Sequence, residues 1–183
     1  AGQFPQAVAA YQEAIRLAPK NESYRLALAT TLMEHQAFEA AIGMLKPSPK
    51  SAKLLVLLGL AHYGHGDNAE AIDSLEQSVE ADPALESAKR CLAGIVLESA
   101  KLPPRKTVDL LCAWDKTVCA ALQLRRAREE GDAALEEQSV AALEPVDSVV
   151  AHCALGRAYE WRNQMQRAVK QMESCVRLDP TPQ

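Results

Sequence analysis

Aromatic side chains are scarce, at 4% of the 183 residues. Any core must therefore be filled by Ala, Leu and Val, and the first two are strong helix formers. Long apolar runs are missing too. The longest, 54–61, is closed by Lys53 and His62 and falls well short of the roughly 18 residues that a membrane-crossing helix needs. Positive charge is not in excess: the net charge is −4 and the pI about 5.6. That argues against a nucleic-acid surface, which requires a concentrated basic field. Signatures of catalysis are lacking as well, with no G-x-S-x-G, H-E-x-x-H or C-x-x-C in the chain. The stretch LGLAHYGHGDNAEAIDSLEQSVEADP (58–83) holds Gly59, Gly64 and Gly66 ahead of a helix-like run. A phosphate loop needs Gly-x4-Gly-Lys-Ser/Thr after a strand; here Gly59 is followed by Leu-Ala-His-Tyr-Gly. The five cysteines are odd in number and lack short paired spacings. They read as free thiols of a reducing compartment, with a Cys112–Cys119 bridge as the alternative.

What the chain does contain is a repeat. Residues 1–21 and 66–85 share Gly-x4-Ala-(Val/Ile)-x-x-(Tyr/Leu)-x-x-(Ala/Ser), and 162–180 keeps the same spacing. The recurring alanines are Ala7, Ala41, Ala71 and Ala168, the first two 34 residues apart. Four residues after each stands a bulky partner: Tyr11, Leu45, Leu75 and Met172. Pro19, Pro83 and Pro180 close the segments, with Pro145 as a fourth. Upstream lie large–small pairs, Leu28-Ala29, Leu58-Gly59, Leu92-Ala93 and Leu155-Gly156, each followed by Leu32, His62, Val96 or Tyr159. Small residues let two helices approach, and a large residue one turn later fills the gap on the same face. Proline denies the helix its next hydrogen bond. Gly66-Asp67 predicts a left-handed helix stop followed by an N-cap.

This pattern resembles the tetratricopeptide repeat, a helix–turn–helix unit of about 34 residues. The resemblance is strong in 1–85 and 148–182 and weak in 86–147. It implies an all-α, right-handed solenoid of about five to six units in a single array. The expected organisation is a partial unit at 1–21, clear units at 22–51 and 52–85, divergent units over 86–147, and a clear terminal unit at 148–183. A lone second helix at the start, and no polar capping helix at the end, predict that the chain is part of a longer protein.

In this family the first helices of the units line the inner face. That places Leu26 and Thr30, then Lys53, Val56, Leu57, Leu60 and Tyr63, then Arg90 and Gly94, and finally Arg157 and Trp161 as partner-binding residues. Family members that grip C-terminal carboxylates use Lys and Asn there; Val56, Leu57 and Leu60 stand in their place, so that clamp is unsupported. An apolar groove with scattered Arg suits an amphipathic helix or an extended apolar peptide. The expected function is a non-catalytic protein–protein interaction scaffold that takes a peptide or partner protein. The alternative is a regulatory or substrate-docking domain of a larger enzyme whose catalytic domain lies outside this chain. No cofactor, metal, nucleic acid or membrane span is expected. Self-association through the uncapped C-terminal end is a further expectation; free thiols favour the cytoplasm, with the periplasm or another compartment as the alternative if an upstream targeting segment was removed. His62 and His65 have a metal-compatible spacing, but one fills the repeat's Tyr slot and the other sits at a turn. Arg125, Arg126 and Arg128, mixed with Glu129 and Glu130, read as a solvated helix face. Trp114 reads as core, and Trp161 as exposed late in its helix.

Overall fold

The structure is a computed structural model and describes residues 3–48 and 51–179. Gly2 and Pro180, two of the pattern residues, lie outside them. The described residues form helices and no strand, so the all-α class holds. The chain divides into two compact units, Ala1–Ser99 and Ala100–Gln183, and the division falls inside the stretch read as divergent.

Unit 1 holds α1 (Gln3–Leu17), α2 (Glu22–Glu34), α3 (Phe38–Leu45), α4 (Ala52–His65), α5 (Asn68–Ala81) and α6 (Glu86–Glu98). Helices α2–α3 and α4–α5 are the expected hairpins, and α6 packs onto both α4 and α5. The core is aliphatic, as the composition requires: Leu28, Leu32, Ala41, Ile42 and Ala61 form one cluster, against which Phe4, Val8, Tyr11 and Ile15 of α1 pack. Leu75 and Leu92 are fully enclosed. Buried Ser78 donates to the carbonyl of Ala52 at 2.8 Å, tying α5 to the start of α4.

Unit 2 holds α7 (Arg105–Trp114), α8 (Lys116–Glu130), α9 (Ala133–Leu143), α10 (Val149–Trp161) and α11 (Met165–Leu178). Hairpins α8–α9 and α10–α11 stack through α8 against α10, around Leu124, Val140, Leu143, Leu155 and Tyr159. Tyr159 fills the repeat's aromatic slot. Its hydroxyl donates to Glu144 at 2.6 Å, and Arg167 reaches both that carboxylate and the hydroxyl at 2.9 Å.

One turn geometry recurs in all four hairpins. Gln36, Gly66, Gly131 and Asn163 adopt positive φ, between 55° and 97°. The next residue's N–H then reaches back to the aromatic-slot carbonyl: Ala37 to Leu32, Asp67 to His62, Asp132 to Ala127 and Gln164 to Tyr159, all at 2.8–2.9 Å. This is the left-handed stop that satisfies otherwise orphaned carbonyls. Gly66 does as predicted; Asp67 does not. Its carboxylate caps no N–H and instead meets His62 Nδ1 at 3.4 Å and His65 Nδ1 at 3.0 Å.

The cysteines correct the sequence reading. Cys112 and Cys119 are joined across the α7–α8 bend, with Cα atoms 4.3 Å apart, and Cys153 is joined to Cys175 between α10 and α11. Cys91 is the free thiol among the described residues. The bend at Asp115, whose carboxylate caps the Thr117 and Val118 N–H groups, folds the first pair together. The antiparallel hairpin does so for the second.

Candidate functional site

The first helices α2, α4 and α6 of unit 1 pack side by side, α2 on α4 and α4 on α6. They carry nine of the eleven expected contact residues. Not all nine are open. Val56 is only 8% exposed and belongs to the core, which overturns it as a contact. Helix α4 is apolar on nearly every side, so Val56 can be buried by its neighbours. Leu26 and Leu57 are half-buried against the cluster of Ala29, Leu45 and Leu54, so most of their surface is already engaged. Thr30 is exposed, yet its hydroxyl donates to its own helix at the Leu26 carbonyl, 2.9 Å away.

The open part of the row is narrower and more polar than the sequence implied. Leu60 is half-buried, and Lys53, Arg90 and Gly94 are exposed. Nothing lies within 4 Å of where a Gly94 Cβ would stand. Tyr63 is 37% exposed. Its hydroxyl donates to Glu98 of α6, and that hydrogen bond, with the negative charge it brings, lifts the phenol's pKa above its ordinary value. The bond fixes the ring across the α4–α6 seam, presenting a flat amphipathic surface.

Arg157 and Trp161 belong to α10 of unit 2. Arg157 is exposed, while Trp161 is half-buried against the unit 2 core, with the Arg128 guanidinium 5.8 Å from its ring centre. Of the run that reads as a solvated helix face, Arg128 is exposed while Arg125 is half-buried; Gly131 stands to Arg125 as Asn163 stands to Arg157, six residues on.

The histidines show no metal geometry. His62 is 3% exposed beneath Asp67, and no group of three metal-capable side chains occurs among the described residues. No buried side-chain nitrogen or oxygen among the described residues lacks a partner. None of these helices is long and apolar enough to cross a membrane.

A second surface lies on α11. Met165, Val169, Met172 and Val176 recur at helical spacing, each 36–63% exposed. They line an open trough of about 680 Å³ with Gly156, edged by Glu160, Glu173 and Arg177.

Tetratricopeptide repeat profiles match residues 1–53, 35–86 and 149–182. The Hsp70-Hsp90 organizing protein of Triticum aestivum is 34% identical over 110 residues, covering 58% of this chain. The chain spans only 19% of that protein's length. Among solved structures, MamA aligns with a TM-score of 0.55 at 20% identity, over 98% of this chain and 90% of its own. YrrB, described as a TPR protein with an unusual peptide-binding site, aligns with a TM-score of 0.57 at 11% identity, over 93% of each chain. At these identities the structural matches speak for the fold.

Proposed function

We propose that this chain, which belongs to the tetratricopeptide repeat family, is a protein-interaction module that takes a peptide or partner protein on the α2–α4–α6 row and performs no chemistry of its own. The observation that carries the reading is exposed Tyr63 and half-buried Leu60 on α4, which also carries exposed Lys53, with exposed Arg90 on α6 packed beside it. A surface held by a core loses little conformational freedom on binding, which favours recognition. Leu60 and the Tyr63 ring supply apolar contact, Lys53 and Arg90 pair with acids, and Gly94 leaves room for a backbone to approach. Support comes from the wheat relative, whose name makes it an organizer of other proteins, and from YrrB, described as binding peptide.

The test is peptide selection from a displayed library against the whole chain. Enriched sequences should carry apolar anchors. Leu60→Glu or Tyr63→Ala should weaken them about tenfold, or ~1.4 kcal/mol, with unchanged circular dichroism. Selected peptides that bind both variants as tightly as the parent would overturn the reading.

The α11 stripe favours a second reading, self-association of two copies through Met165, Val169, Met172 and Val176. Sedimentation should then show a dimer that Met172→Glu returns to monomer. A monomer throughout the accessible concentration range removes it.

A further inference from the structure

The second helices of unit 1 are unequal in length. Helix α3 stops at Leu45 after 8 residues, whereas α5 runs for 14. Pro47 follows α3, and proline has no N–H to continue the helix. The chain turns instead. The Ser48 N–H reaches the Leu45 carbonyl at 3.0 Å, and its hydroxyl donates to the Met44 carbonyl at 2.9 Å. Beside this turn, between α3 and α5, lies a cavity of about 210 Å³ floored by Leu54, Leu55 and Leu58 of α4.

The walls of the cavity carry opposite charges. Lys46 lines the α3 side, and Glu70 and Asp73 line the α5 side. Asp73 is engaged by the Gln77 amide at 2.7 Å. Lys46 and Glu70 are exposed, and neither forms an ion pair with a described residue. His62 lines the same cavity, its side chain 4% exposed. Its Nδ1 faces the Asp67 carboxylate at 3.4 Å. A carboxylate accepts, so the ring proton lies on Nδ1 and Nε2 keeps a lone pair. Nε2 has no partner among the described residues, yet no buried side-chain nitrogen among them is left unpartnered; the cavity is its opening. The corresponding cavity one repeat earlier lies over α2 between α1 and α3. It measures about 260 Å³ and holds no charged residue, with Gln12 as its polar member. Charged walls are therefore particular to the second notch and not a consequence of hairpin stacking.

We propose that this notch binds a small zwitterion, an α-amino acid with an apolar side chain. The ammonium donates to Glu70 and to His62 Nε2, the carboxylate pairs with Lys46, and the side chain lies on Leu54, Leu55 and Leu58. The size fits: a cavity of about 150 Å³ takes benzene, so this one takes a benzene-sized group with a short polar head. An apolar floor with a few convergent polar groups is the general form of a small-molecule pocket. A ligand with positive charge alone would face Lys46 uncompensated, and one with negative charge alone would face Glu70. The site shares no residue with the α2–α4–α6 row and does not rest on that reading.

The experiment is a methyl NMR titration of the whole chain with three probes. They are L-phenylalanine, phenethylamine, which lacks the carboxylate, and hydrocinnamate, which lacks the ammonium. Phenylalanine should shift the Leu54, Leu55 and Leu58 methyls with a dissociation constant of about 1 mM or tighter, and each analogue should bind at least about tenfold more weakly. Glu70→Gln and Lys46→Gln, both at exposed positions, should each weaken phenylalanine about tenfold. Lys20→Gln, a matched change of charge on a distant turn, should leave it unchanged, with melting curves confirming that each variant is folded. Methyls unmoved by about 10 mM phenylalanine overturn the proposal. So does either analogue binding as tightly as phenylalanine, or full affinity in folded Glu70→Gln or Lys46→Gln.

Discussion

In unit 1, Gly59 of α4 backs onto α5. A Cβ there would lie 2.7 Å from Leu75 Cγ and 3.1 Å from the Ala71 carbonyl. In unit 2, the matching Gly156 of α10 backs onto α11, where a Cβ would meet Met172 Cγ and Sδ at 2.9 Å. The first contact is with a fully enclosed leucine and with backbone; the second is with a flexible, exposed side chain. Unit 1 is held chiefly by close aliphatic packing, with the Ser78–Ala52 and Tyr63–Glu98 hydrogen bonds beside it. Unit 2 adds a Tyr159–Glu144–Arg167 network and two disulfides. The same hairpin can therefore be secured in two ways, because the frame asks only for a small residue facing a large one.

The largest expected effect tests that contrast directly. Gly59→Val should destabilise unit 1 by about 3 kcal/mol and Gly156→Val should destabilise unit 2 by about 1 kcal/mol, since overpacking is severe only where the neighbour cannot move. Chemical denaturation of both variants checks this, and equal losses break the comparison. Next, a reductant should lower the stability of unit 2 by about 2 kcal/mol while leaving unit 1 as it was. Region-resolved hydrogen exchange with and without reductant gives the answer, and matched changes in both units would contradict it. Smaller still, Gln36→Gly should stabilise unit 1 by about 0.5–1 kcal/mol by removing a left-handed strain that glycine does not feel. Asn163→Gly should gain less in unit 2, because Asn tolerates that conformation better.

The smallest effect is a pH dependence seated in unit 2. His152 Nε2 lies 2.8 Å from Asp147 and Nδ1 2.6 Å from Gln171. The Asp147 hydrogen bond first, then that to Gln171, holds the folded pKa above the ordinary value. A raised folded pKa favours the native state fully below about pH 6.5, the unfolded value, and the benefit is lost as pH rises through the folded one. The melting temperature should thus fall slightly on raising the pH through neutrality, and Asp147→Asn should flatten that slope. A slope unchanged in Asp147→Asn would place its origin elsewhere.

The frame was legible because its positions are in phase. The large–small pairs and the alanines could be placed by counting, and Leu28, Ala41, Leu75, Leu92 and Leu155 are all buried. The face was less so. Val56 shares its register with Arg90, yet α4 has too many apolar residues for periodicity to single out a side. Arg125 sits in a run of mixed sign that reads as solvated, and the sequence does not show that it is half-buried. Asp67 has the composition of an N-cap, but two histidines compete for its oxygen. Cys153 and Cys175 stand 22 residues apart, a spacing that means nothing until an antiparallel hairpin brings them together.

The shared left-handed hinge has a practical corollary for anyone rebuilding this chain. Ala71 stands five positions after Gly66, as Ala41 does after Gln36 and Ala168 after Asn163. A helix advances by about 100° per residue. One amino acid added between hinge and alanine would swing the interlocking side away from its mate, so hairpins can be exchanged whole between positions but not lengthened at the elbow.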